Sequence, residues 1–181
     1  MSTNLKSLIG AQLGWTWQDR DGTATVTNSN RTVFRQDLQD GAEANQADAV
    51  WNSDNRVLAA GGSETLELDA LEKCLFGDTI YVSLLTVKAI LLVNRSTADD
   101  AYLTVGGAPG DTWIGPFGAA SDTIRVMPGG ALLLAAPRAG WDVEVGTADL
   151  RIAAPALGVT YDIAILGTTS AASESSSSSG T

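Results

Sequence analysis

From residue 85 to residue 94 the chain sets Leu85, Val87, Ala89, Leu91 and Val93 against Thr86, Lys88, Ile90, Leu92 and Asn94. A period of two over this length gives a strand with one apolar face and one mixed face. Leu, Ala and Lys all favour a helix. Against it stand Thr79, Ile80, Tyr81, Val82, Thr86, Val87, Ile90 and Val93, a density of β-branched and aromatic side chains suited to a pleated surface. The stretch 78–96 is therefore expected as one long central strand that buries Leu91 and its odd-numbered neighbours. An acid at Leu91 should then harm the fold more than one at Lys88.

The rest of the chain reads as shorter strands around this one. Leu13, Trp15 and Trp17 alternate with Gly14, Thr16 and Gln18. Asp19-Arg20-Asp21-Gly22 follows, and 23–27 alternates again, so a hairpin is expected there. Residues 32–38 supply a third strand, and 39–49 a polar loop or helical turn. Beyond the central strand, Gly106-Gly107-Ala108-Pro109-Gly110, Pro128-Gly129-Gly130 and Pro137-Arg138-Ala139-Gly140 separate short apolar segments. Turn signals at intervals of about 8–12 residues indicate an all-β sandwich or barrel, and a jelly-roll-like β-sandwich holds this many strands. One domain over 1–168 is expected, with the hairpin region 12–38 available as a docking arm. Residues 169–181, ending AASESSSSSGT, cannot repay their ordering entropy and are expected as a flexible tail.

The charge balance is acidic, with 21 Asp and Glu against 11 Lys and Arg and a net charge of −10, which argues against nucleic acid as a partner. The N-terminal stretch has no uninterrupted apolar core, and the longest apolar run, 89–93, is too short to span a bilayer. A protein made in a cytoplasm, without a membrane partner, is expected. The single Cys74 excludes an internal disulfide and reads as a small buried residue.

With no histidine, neither a Ser-His-Asp triad nor a Cys-His pair can form, and His-based zinc centres are excluded. Asp19-x-Asp21-Gly22 lacks the remaining ligands of a calcium loop. The turn Gly106 to Asp111 lacks the Lys-Ser/Thr of a phosphate-binding loop. Asp99, Asp100, Asp111, Asp122, Asp142 and Asp149 sit at strand ends, where Asp commonly satisfies local backbone donors. No catalytic, cofactor-binding or metal-binding residue is assigned, and no cofactor is expected.

The five tryptophans weigh more, because an exposed indole can anchor an interface or stack on a sugar. Trp15 and Trp17 share a face, for which sheet packing is the simpler account. Trp113, within Asp111-Thr-Trp-Ile-Gly-Pro-Phe117, lies in an irregular apolar segment, where core and interface stand level. Trp113, Ile114 and Phe117 are the candidate interface residues, with 131–137 (ALLLAAP) as a second weakly charged segment.

Several segments together resemble small structural proteins of tailed bacteriophages. They are Leu66-Glu-Leu-Asp-Ala-Leu71, Phe76-Gly-Asp-Thr79, Val87-Lys-Ala-Ile-Leu-Leu-Val-Asn94 and Leu103-Thr-Val-Gly-Gly107. Residues 113–117, Asp122-Thr-Ile-Arg-Val126, Pro128-Gly-Gly130 and Tyr161-Asp-Ile-Ala-Ile-Leu-Gly167 continue the likeness, which covers 64–167. The resemblance implies a β-sandwich virion protein, a capsid decoration or head/tail accessory protein. Separately, the apolar segments 113–117 and 131–137 lead us to expect a homo-oligomer such as a trimer, with the major capsid or tail protein as its docking partner. The resemblance implies no site residues and no enzyme. The alternative is a carbohydrate-binding sandwich for host attachment, with Trp113 or Trp141 as a stacking platform.

Overall fold

A computed structural model describes residues 4–75 and 78–169. It is all-β, with no α-helix among the described residues. Among the described residues thirteen strands follow one another: β1 (Ser7–Asp21), β2 (Ala24–Leu38), β3 (Ala49–Leu58), β4 (Gly62–Glu67), β5 (Leu71–Leu75), β6 (Asp78–Val82), β7 (Thr86–Asn94), β8 (Leu103–Gly106), β9 (Thr123–Val126), β10 (Ala131–Ala135), β11 (Trp141–Asp142), β12 (Asp149–Ala154) and β13 (Val159–Thr168). All the strand pairings are antiparallel.

One sheet runs β10-β7-β13-β3, with β11 also paired to β7, and a second runs β4-β12-β8-β9. Their inner faces share one apolar core. Trp51, Ile90, Leu92, Tyr161, Ile163 and Ile165 come from the first sheet, and Leu66, Leu103, Val105, Val126, Leu150 and Ile152 from the second. The β5–β6 hairpin closes one side, where Trp51 Nε1 donates to Glu72 O at 2.8 Å.

The stretch 78–96 is not one strand. Residues 83–85 break it, so β6 pairs with β5 while β7 enters the large sheet between β10 and β13. Beyond Lys88 the expected faces of β7 are also exchanged. Ile90, Leu92 and Asn94 point into the core, whereas Leu91 is 42% exposed on the outside and Lys88 is only 2% exposed. A bulge is the cause: Leu166 pairs with Ala89 but the next residue, Gly167, pairs with Val87, leaving Lys88 as the extra residue on β7. Val87 and Ile90 thus reach the same core despite their opposite parity. A Cβ on Gly167 would lie 2.3 Å from the Thr86 carbonyl oxygen, so this bulge requires glycine there.

The buried polar groups on β7 are paired. Lys88 Nζ donates to Arg138 O and Ala139 O at 3.2 and 3.0 Å. Asn94 Nδ2 donates to Ala101 O and Val126 O at 2.8 and 3.1 Å, and its Oδ1 accepts from Ser96 N at 3.0 Å. Asn94 therefore ties three loops or strands to the middle of the core.

Cys74 is exposed on β5, not buried as its size suggests. Residues 39–48 form a loop with an isolated bridge between Gln39 and Gln46. The Ser-rich tail lies outside the described residues except for Thr169, whose amide donates to Asp48 Oδ1 at 2.7 Å.

Candidate functional site

The N-terminal hairpin is the largest departure from what alternation suggests. The expected hairpin and third strand are one pair of 15-residue strands, matched residue for residue from Ser7–Leu38 to Asp21–Ala24. Gly22 turns the chain at φ +59°, a conformation glycine adopts without strain. Ile9 and Leu38 at the foot are buried with Ala47 and Ala89 in a small second core. Above the foot, Gly10–Gln18 and the opposite stretch Thr27–Arg35 are exposed on both faces. The hairpin is thus an arm held to the body only by its foot.

Its two faces differ. Residues opposite one another across an antiparallel pair share a face. One face carries Ala11 with Phe34, Leu13 with Thr32, Trp15 with Asn30, Trp17 with Asn28 and Asp19 with Val26. The other carries Gln12 with Val33, Gly14 with Arg31, Thr16 with Ser29, Gln18 with Thr27 and Arg20 with Thr25. It is hydroxyl-rich, with Ser29 Oγ donating to Thr16 Oγ1 at 3.0 Å, and it gathers Arg20, Arg31 and Arg35. Trp15 and Trp17, 45% and 55% exposed, are not packed in a sheet core as their alternation suggests. Alternation identifies the shared face but not what covers it.

A second apolar surface lies on the outside of the β10-β7-β13-β3 sheet. The register puts Ala135, Ala89, Leu166 and Val50 in one row across it, and Leu133, Leu91, Ala164 and Asn52 in the next. The arm's foot covers the Ala89 end. Beside it, Leu8, Leu91, Leu133 and Ala164 border a hollow of about 130 Å³. The segment 131–137 is accordingly half-buried: Leu132 and Leu134 pack on the main core and Leu133 faces out.

The residues singled out in the irregular segment do not form one surface. Trp113 is 1% exposed and belongs to the core, one of the two readings that stand level for it in the sequence. The indole folds back over its own loop, because a Cβ on Gly115 would meet it at 2.3 Å. Its Nε1 donates to Asp142 O at 2.8 Å, and the ring stands edge-on to Trp141 at 6.2 Å. Phe117 is partly buried against the same core, and Ile114 is half exposed.

Glu64 and Asp149 each centre a cluster of ionisable groups. Burial alone would raise the Glu64 carboxyl, but hydrogen bonds from Arg56 and Tyr161 outweigh it and hold Glu64 below the usual carboxylate value. Burial and the Glu64 hydrogen bond push the Tyr161 phenol up, so this trio acts as a neutral-pH clasp between β3, β4 and β13. Burial, then the nearby carboxylates of Asp111, Glu67 and Asp69, raise Asp149. Among the described residues no group of three or more His, Cys, Asp or Glu is arranged to hold a metal ion.

The chain matches no protein-family model, no curated protein and no solved structure.

Proposed function

We propose that the chain is a structural virion protein of a tailed bacteriophage, a jelly-roll subunit that self-assembles and docks on the capsid or tail. The observation that carries this reading is the exposed 15-residue hairpin with an aromatic face. A two-stranded hairpin is marginal alone in water, and an exposed apolar face of this size marks an interaction surface. The strand order supports the body's part. Counting only the eight strands of the two four-stranded paths, in chain order, one sheet reads sixth, third, eighth, first and the other second, seventh, fourth, fifth. Two interleaved four-stranded sheets of this kind fit the jelly roll, an architecture used by viral capsid proteins and by lectins.

The carbohydrate-binding alternative draws less support. Trp113 has no open ring face, and Trp141 is partly buried against the same core. Stacking on a sugar needs an accessible face.

The test is co-purification. In a host producing the phage that encodes this chain, particles banded by density should contain it in a fixed ratio to the major capsid or tail protein. A chain that stays in the soluble fraction while particles form overturns the assignment.

A further inference from the structure

We propose that the apolar face of the arm docks on the outer face of the β10-β7-β13-β3 sheet of a second copy of this chain. The inference rests on the self-assembling reading above and names the two surfaces that meet. Both are present in every copy, so each subunit offers one donor and one acceptor.

The surfaces fit in shape and polarity. The arm offers a narrow flat ribbon with Leu13, Trp15, Trp17 and Phe34 projecting from it. Beyond Ala89, which the chain's own foot covers, the sheet offers a shallow apolar floor in which small Ala164 lies among the larger Leu91, Leu133 and Leu166. Intramolecular packing already shows the contact in miniature. The foot of the chain's own arm, Ile9 and Leu38, sits on Ala89 at one end of this floor, and the hollow beside Leu91 and Leu133 continues from it.

Charge selects the pairing. Residues 1–38 hold four Lys and Arg and three Asp and Glu, whereas the rest of the chain holds seven and eighteen. Two bodies therefore repel one another, but an arm approaching a body does not. Area allows it as well. The exposed parts of Leu13, Trp15, Trp17, Val26 and Phe34 present on the order of 600 Å², and the floor, where Leu91 is 42% exposed and Leu133, Ala164 and Leu166 are half-buried, about half that. One arm and its floor then bury about 900 Å², the size of a weak interface, and two reciprocal arms about 1,800 Å², that of a stable one.

Light scattering on the full chain, with two complementary variants, tests the arrangement. The wild-type chain should form an oligomer at tens of micromolar. Trp15→Asp with Trp17→Asp ruins the arm face and leaves the floor intact. Leu91→Asp ruins the floor and leaves the arm intact. Each variant alone should fall to the mass of a single chain while keeping the wild-type far-ultraviolet spectrum. Mixing the two should restore a complex containing one of each, identified by native mass spectrometry, because the intact arm of one meets the intact floor of the other. A polar-face variant, Thr27→Asp, should assemble as the wild type does. Continued assembly by Leu91→Asp alone would mean arm meets arm, continued assembly by the arm variant would mean body meets body, and a mixture that stays monomeric would exclude complementation. Each of these overturns the proposal. A monomeric wild type that still bands with particles also overturns it, while leaving the virion assignment standing.

Discussion

Lys88 is a buried cation whose partners are two carbonyl oxygens. Burial lowers its pKa, with Asp142 and Glu43 opposing that shift. Replacing it with Asp would aim a carboxylate at Arg138 O and Ala139 O, an unpaired buried charge costing at least about 3 kcal/mol. Leu91→Asp puts its charge on a face that water already reaches. The expected order is thus the reverse of the one alternation alone suggests: Lys88→Asp loses soluble folded protein and Leu91→Asp keeps it. Expression followed by circular dichroism checks this, and equal loss in both would contradict the outward placement of Leu91.

Glu64 gives a second expectation at this scale. Its folded pKa is depressed, so its contribution to stability is present above the unfolded value of about 4.3 and is lost as pH falls through the folded value. Glu64→Gln should cost about 1–2 kcal/mol at neutral pH, less than a fully buried pair because Arg56 and Glu64 both retain some exposure. Urea unfolding of both proteins should show the gap narrowing below about pH 4, since Gln cannot titrate. A gap independent of pH would mean that packing, not the charge, is what Glu64 contributes.

At the scale of elements, the bulge on β7 decides which residues form the core. Gly167→Ala would drive a methyl into the Thr86 carbonyl, so either the bulge slips or the strands separate, at a cost of about 2–4 kcal/mol. Gly110→Ala, in open space at an ordinary φ, should change stability by less than about 0.5 kcal/mol. Denaturation midpoints of the two variants compare them directly, and equal midpoints would remove the special role of Gly167.

The same element shows where sequence reading stops. The gap between the strands Thr123–Val126 and Ala131–Ala135 is legible because Pro128-Gly129-Gly130 separates two short apolar segments there. The break at 83–85 is not, since Ser83-Leu84-Leu85 carries neither Gly nor Pro. Nor is the bulge, whose cause, Gly167, is more than seventy residues away in sequence from the strand it kinks. The aromatic face of the arm was visible as Leu13, Trp15 and Trp17, yet a period of two looks the same whether a core or water lies opposite. Trp113 reads equally as core or interface in the sequence, because only the fold shows that Gly115 lets a loop bury its own indole.

For the whole molecule, charge is unevenly spread, with the excess acid on the body and Arg20, Arg31 and Arg35 on one face of the arm. Three arginines could neutralise only about three phosphates, a weak foothold against a net charge of −10. No salt-dependent binding to duplex DNA is expected, and a gel shift at low salt checks it. Micromolar binding that weakens with salt and vanishes in Arg31→Ala would redirect attention to that face.

The arm also sets a length. Fifteen residues per strand reach about 50 Å, while a compact body of this size measures roughly 35–40 Å across. A lever longer than the object it grips lets neighbours be fastened without touching flank to flank. Acidic flanks kept more than a Debye length apart, about 8–10 Å, scarcely feel one another. If subunits link as proposed above, the reach of the arm and not the width of the body sets the spacing between neighbours.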